Sequence, residues 1–439
     1  MSESSQVAAG TPITARRIAG LAVPALGVLA AEPLYVLIDT AVVGHLGALA
    51  LAGLALGGTV LSVMTSQLTF LSYGTTARTS RLYGANRRTD AVAEGGQATW
   101  LAIFVGLVVF GLGEVFAHDL SMLLAGDAEV AARSAEWLRI ALLGAPAILI
   151  TLAGNGWMRG VQDTVRPLRY VLIANVISAV LCPVLVYPVG LGLAGSAIAN
   201  VVAQYLSAAM FVAAIARERA FRRPSPAIMR AQMVLGRDLI LRSASFQICF
   251  LSAAAVAARS SAAAVGAHQI VYQLWAFLSL VMDSLAIAAQ ALIGAELGAH
   301  RARAAMAAAW QITRYSLALG CVLGLSFALG YFVLPGLFTS DEAVLARIPE
   351  AWWFFVVQQP IAGIVFALDG VLLGAGDTRF LRTTTLAAAL GGFFPLIWAS
   401  WWFGWGLTGI WFGLTVFLVA RLVATVWRTR SGVWAVEGA

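Results

Sequence analysis

Charge is what this sequence has least of. Only 11% of its 439 residues are Asp, Glu, Lys or Arg, against about 25% in soluble domains, which excludes a conventional water-soluble enzyme. Lysine is missing altogether. All 28 basic residues are arginine, and against 21 acids they give a formal charge of +7. They stand in short runs between apolar stretches instead of forming a basic domain or arm, which argues against nucleic-acid binding. Cysteine is scarce, and Cys182, Cys249 and Cys321 lie far apart inside apolar stretches, so neither a disulfide framework nor a metal cluster is expected. There is no GxxxxGK(S/T) phosphate loop, no HExxH, no CxxC pair and no soluble stretch large enough to bind a nucleotide. No cofactor is expected, and transport by such a chain would draw on an ion gradient. The N-terminal MSESSQVAAGTPITARR lacks an apolar core with a cleavage site, so no cleaved signal peptide is expected.

What is abundant is apolar: 60% of the side chains are hydrophobic, and 43 glycines suit closely packed membrane helices. At about 20 residues per span, apolar runs between charged punctuation give twelve spans, starting near residues 13, 49, 92, 131, 165, 190, 236, 265, 304, 343, 380 and 405. All arginines except Arg133, Arg139, Arg259 and Arg347 then fall on one side, which the positive-inside rule makes cytoplasmic. Both termini lie on that side. A shift of 214 residues places Gly84 and Ala85 on Gly298 and Ala299, Gly160 on Gly374, Asp163 and Thr164 on Asp377 and Thr378, and Gly195 on Gly409. The chain thus reads as an all-α polytopic membrane protein, with twelve transmembrane helices in two pseudo-symmetric six-helix bundles. The expected parts are an N-terminal tail (1–12), an N-lobe (13–216), a cytoplasmic linker (217–235), a C-lobe (236–430) and a C-terminal tail (431–439).

Ionisable groups inside spans are costly in hydrocarbon and are the default functional candidates. In the first span Glu32 and Asp39 are seven residues apart, about 20° short of two helical turns, so both are expected on one face. Pro33 between them leaves the carbonyl of Leu29 without its helical donor and provides a hinge. Asp283 and Asp369, in later spans, are expected either to bind a proton or cation or to sit in a buried ion pair, for example with Arg242 or Arg259. Tyr35, Gln67, Gln269, Tyr272, Gln273 and Gln290 offer hydrogen bonds to such acids or to substrate, or simply pack helices. Asp163 and Asp377, each followed by Thr ahead of a new span, are expected to cap helices. His45 and His268 lack a second ligand at metal spacing and are expected to hydrogen-bond at helix ends. Trp157, Trp275, Trp352, Trp353 and the run WASWWFGWG read as interface anchors or cavity walls.

The segments IDTAVVGHLG, FLSYGTTARTSRLYG, MRGVQDTVRPL, GLGLAGSAIA, VGAHQI, LVMDSLAIAAQALIGAELG and LDGVLLGAGDT resemble the multidrug and toxic compound extrusion family, and within it the branch of the DNA-damage-inducible protein F. The resemblance runs from about Ile13 to Arg421. It implies a monomeric twelve-helix antiporter of the inner membrane, which exports amphipathic or cationic compounds in exchange for protons or sodium by alternating access of two lobes. It also implies that Asp39, in the IDT motif, couples transport to the cation. The family's NxxNxxxD stretch reads here as Asn175, Ser178 and Cys182, so the second carboxylate is replaced by a thiol and a two-carboxylate sodium site does not carry over. Asp39 with Glu32 is then expected to carry coupling, with protons favoured over sodium. Tyr35, Asn175, Ser178, Gln67, Gln269, Asp283 and Asp369 are candidates for a substrate or cation site. A flippase of lipid-linked precursors is the runner-up, disfavoured because the intramembrane charges are mostly acidic.

Overall fold

The computed structural model describes residues 13–219 and 221–438; the expected tail 1–12, and with it most of the segment read for a signal peptide, lies outside them. Helices supply all the regular structure among the described residues. The first, α1 (Ala15–Gly44), runs through Pro24 and Pro33, and α2 (Ala48–Gln67) and α3 (Phe70–Gly84) follow, separated only by Leu68 and Thr69. Next come α4 (Arg88–Ala125), α5 (Ala128–Leu142), α6 (Ala145–Gly160), α7 (Val165–Val186) and α8 (Gly192–Arg217). The second half holds α9 (Pro226–Ala258), α10 (Ala262–Gly298), α11 (Ala302–Leu329), the short α12 (Leu334–Phe338) and α13 (Glu342–Arg347), and α14 (Pro349–Gly374). It closes with α15 (Thr378–Ala388), which passes through a π-helical turn into α16 (Phe394–Phe403), and α17 (Gly406–Ser431).

Eleven segments are long and apolar enough to cross a bilayer, twelve if α5 and α6, bent by 52°, are counted as one span. Several helix starts follow from their caps. Asp127 accepts from the amides of Glu129 and Val130 at 2.9 and 3.0 Å, Ser261 from Ala264 at 3.1 Å, and Asp341 from Ala343 at 2.8 Å. The expected caps at Asp163 and Asp377 divide. Asp163 accepts from the amide of Arg166 at 3.1 Å, whereas Asp377 makes no capping bond and takes the Arg428 guanidinium at 2.7 Å. A nearby cation outcompeted the backbone amide for that carboxylate.

The polar connector is also helical from Pro226 onward, because proline at a helix start costs no hydrogen bond. Its earlier part is held to α4: the Gln97 side chain donates to the carbonyl of Arg223 and accepts from the amide of Ser225, and Arg222 pairs with Asp90 at 3.1 Å.

Two compact units result. One comprises Val23–Gly236; the other runs from Arg237 onward and includes the start of α1 up to Ala22. The 214-residue repeat is written in their backbones. Left-handed conformations recur at Asn86 and His300 (φ 59° and 57°), Gln162 and Gly376 (62° and 76°), Gly190 and Gly404 (77° and 67°), and Gly192 and Gly406 (53° and 59°). Close approaches recur too. A β-carbon on Gly156 would lie 2.5 Å from the Ser72 carbonyl oxygen, and one on its counterpart Gly370 would lie 2.2 Å from that of Ala286, the counterpart of Ser72.

Side chains such as Leu123, Phe332 and Leu337 are bare on the helix surfaces, as lipid-facing residues are. Trp157 and Trp352 are buried in the cores rather than anchoring an interface, whereas Trp353 and the tryptophans of the WASWWFGWG run are exposed, as is Trp427. Burying an indole removes a large apolar area from solvent.

Candidate polar site in the Val23–Gly236 unit

Inside the first unit, α1 turns a row of residues four apart, Ala31, Tyr35, Asp39 and Val43, into the bundle. Asp39 is 4% exposed and makes no ion pair among the described residues. The Cys182 thiol on α7 donates to its Oδ1 at 3.2 Å, and the Ser196 hydroxyl on α8 faces the same carboxylate. Ser196 Oγ accepts from the indole of Trp137 at 3.2 Å, leaving its own hydrogen free to donate to Asp39. One turn along α1, the Tyr35 hydroxyl lies beside Ser178 and Asn200. Tyr35 Oη, Ser178 Oγ and Asn200 Oδ1 are all buried without completing a hydrogen bond. Three unmet oxygens next to an uncompensated carboxylate form a polar nest in an apolar bundle, with room in its hydrogen-bonding capacity for a proton, an ion or water.

The packing around the nest is fixed by small residues and by one tie. Gly195 brings α8 against the backbone of α7 at Leu185, where a β-carbon would stand 2.8 Å from the carbonyl carbon. The Tyr187 hydroxyl at the end of α7 donates to the Val42 carbonyl, anchoring α1 one turn beyond Asp39.

A family match covers the α1 and α7 side of this nest, Tyr35, Asp39, Ser178 and Cys182. The MatE family model matches residues 24–184 and 239–398. The chain belongs to the MatE family. Among curated relatives it is 31% identical over 435 residues to Protein DETOXIFICATION 44, chloroplastic, of Arabidopsis thaliana, covering 95% of this chain and 83% of that one. It is 28% identical to the DNA damage-inducible protein F of Escherichia coli, over 94% of this chain and 92% of that protein. Among solved structures, the Vibrio cholerae MATE transporter in its bent form superposes with a TM-score of 0.88 at 19% identity, covering 95% and 96% of the two chains. The fold is therefore that of a MATE transporter, with two lobes, and the chain is a MATE-family multidrug transporter.

Within this MATE transporter the other candidates scatter. Asn175 is half-buried on α7, one turn before Ser178. Glu32 has the helical angle of Asp39 but lies seven residues, about 10.5 Å, away along the axis, and it is exposed. Gln67 ends α2 at the break before α3, with Oε1 unpaired. In the other unit, Gln269 is exposed and Asp283 half-buried.

Asp369, 4% exposed on α14, accepts from Arg242 of α9 at 2.7 Å and from Arg421 of α17. Both guanidiniums also lie over the Phe246 ring. The ion pair with Arg242 is thus formed, while Arg259 lies elsewhere, over Trp401. Asp369 is charge-compensated twice over, the opposite of Asp39.

His45 donates to the carbonyl of Ala41 at 2.7 Å, a helix-end bond as expected. His268 does not behave so: it is buried, with Nδ1 unpaired, stacked on Tyr272 and edge-on to Trp411. Packing against aromatic rings replaced the polar contact, since α10 continues past that position.

Ser196, Asn200 and Arg421 were not singled out from sequence. Ser196 and Asn200, four apart in GSAIAN, carried a signal in their shared helix face. Arg421 did so as an arginine within LTVFLVARLVATV, hidden when it is counted with the C-terminal arginines.

Proposed function

We propose that this transporter exports amphipathic or cationic compounds in exchange for protons, with Asp39 as the group that takes and releases the coupling proton. The observation that supports it is a buried carboxylate with no cation beside it and a neutral thiol where the family has its second acid. A lone buried carboxylate is expensive while ionised and inexpensive once protonated, so occupancy by a proton changes the free energy of the surrounding contacts. Neutral Asp39 accepts more weakly from Cys182 and Ser196, which loosens α1 against α7 and α8.

Helix α1 has two built-in weak points. Pro33 stands between Glu32 and Tyr35, and Pro24 lies next to the division between the units at Ala22 and Val23. Bending there would couple the proton to alternating access between lobes. In this reading the protein is a multi-pass monomer of the cytoplasmic membrane with both termini inside, and its partners are small amphipathic molecules and lipid.

Sodium coupling is the second reading, favoured by the three unmet oxygens of Tyr35, Ser178 and Asn200. Purified protein in liposomes, loaded with a fluorescent cationic dye and given a proton or a sodium gradient separately, decides between them. Proton-driven dye movement in the wild type and none in Asp39→Asn supports the proposal; full transport by the variant sinks it, and sodium-driven transport replaces the proton with sodium.

A further inference from the structure

We propose that the unit beginning at Arg237 carries a pocket for the phosphate of an anionic phospholipid, at the membrane face poor in arginine. A cavity of about 350 Å³ opens among the α9–α10 turn, the start of α14 and the α16–α17 turn. Arg259, Ser260 and Ser261 line it from the first, Glu350 from the second with Arg347 at the preceding end of α13, and Trp401 from the third. Two guanidiniums against one carboxylate leave a charge of +1.

Arg347 is committed to Glu350 at 2.8 Å, but the Arg259 guanidinium lies 5.7 Å over the Trp401 ring, a stack that orients its plane and leaves its N–H edges for an oxyanion. Ser261 Oγ accepts from the amide of Ala264, so its hydroxyl hydrogen is free to donate into the pocket, at the positive end of the 37-residue α10. The hydrocarbon part of the ligand has its own surface. Trp402, Phe403 and Trp405 at the α16–α17 tip are 77%, 67% and 46% exposed, and such bare aromatics suit the headgroup level of a bilayer.

The repeat supplies a control within the molecule. In the first unit the counterpart ion pair, Arg133 with Glu136 at 3.0 Å, is kept. The counterparts of Arg259, Ser261 and Trp401 are His45, Gly47 and Tyr187. His45 donates to Ala41 and Tyr187 to Val42, so both polar tips are spent on α1 itself. The ion pair therefore belongs to the shared scaffold, while the free guanidinium, the serine and the indole are additions of the second unit alone.

The test is native mass spectrometry of the purified full chain in detergent, titrated with phosphatidylglycerol, phosphatidylcholine or inorganic phosphate, on the wild type, R259Q/R347Q, R259K/R347K and R133Q/R139Q. The wild type retains phosphatidylglycerol in preference to phosphatidylcholine. R259Q/R347Q retains it about tenfold more weakly, as loss of charge-assisted hydrogen bonds implies. The lysine pair restores most of the binding, and R133Q/R139Q, which removes as much charge from the same face, binds like the wild type. Equal loss in R133Q/R139Q, or equal retention of the two lipids, overturns the proposal. Displacement of the lipid by an equal concentration of inorganic phosphate overturns the lipid assignment in favour of a free anion. Proton-driven dye efflux, which does not depend on this pocket, is measured alongside, so failure here is separable from failure of the antiport reading.

Discussion

In the first unit Tyr35, Asp39, Ser178, Ser196 and Asn200 gather around one polar nest; 214 residues later the same positions hold Cys249, Ala253, Gly392, Ile410 and Leu414. Apart from the glycine, those counterparts belong to the hydrophobic core of the second unit, as does Ala389, the counterpart of Asn175. The exchange runs the other way at the charged triad. Arg242, Asp369 and Arg421 correspond to Val28, Asn155 and Ser207. Two copies of one helical scaffold thus bury polarity in different places. The first keeps a carboxylate uncompensated, which suits a group that must change its charge; the second locks a carboxylate between two cations, which suits a fixed clasp of α9, α14 and α17.

Substitutions that break this asymmetry should separate the two roles. The largest effect is expected from Asp39→Asn: dye efflux from liposomes is abolished, while membrane insertion and the circular dichroism of the helices are unchanged. Asp369→Asn should do the reverse, lowering stability by about 3–5 kcal/mol because two guanidiniums are left buried without their anion. Asn155→Ala, its counterpart, should cost only about 1 kcal/mol; unfolding in detergent followed by tryptophan fluorescence measures both.

The shared scaffold makes the opposite prediction, that paired positions respond alike. Gly156→Ala and Gly370→Ala each push a β-carbon into a backbone carbonyl and should each cost about 1–3 kcal/mol in the same assay. A marked inequality between them would mean that the two helix crossings are not equivalent.

The smallest effect concerns a surface pair found in one unit only. Glu218, just beyond α8, accepts two bonds from Arg88 at 2.7 and 2.8 Å, and these hold its carboxyl below the usual glutamate range; the second unit has Gly432 and Ala302 there. A lowered value means that the folded state prefers the ionised form. The contribution is complete above the ordinary value of about 4.3 and is lost as pH falls through the lowered one. Glu218→Gln should therefore cost less than about 1 kcal/mol at pH 7 and leave the two proteins equally stable in strong acid, as parallel unfolding curves would show.

Much of this was legible along the chain. The number of spans follows from the length of apolar runs, and the doubling of the fold from glycines at constant spacing, because those glycines mark turns and close crossings that any copy of the scaffold must keep. Asp39 was visible as an intramembrane acid, and the thiol of Cys182 in place of a second acid was visible through the family resemblance. The broken span at α5 and α6 was less so, since a bend of 52° leaves the apolar run continuous. Glu32 shows the limit of periodicity. Helical angle placed it with Asp39, yet the level along the axis decides what lies opposite, and that is a property of neighbouring helices.

Composition and spacing by themselves determined a polytopic helical protein built twice, with few acids inside the membrane, because burial in hydrocarbon constrains residue type at nearly every position. Only the tertiary structure decided which acid is left alone and which is compensated. Arg421 reaches Asp369 from 52 positions away and Cys182 reaches Asp39 from 143. The energy of a buried charge depends on partners within a few ångströms in space, and separation along the chain carries almost none of that information.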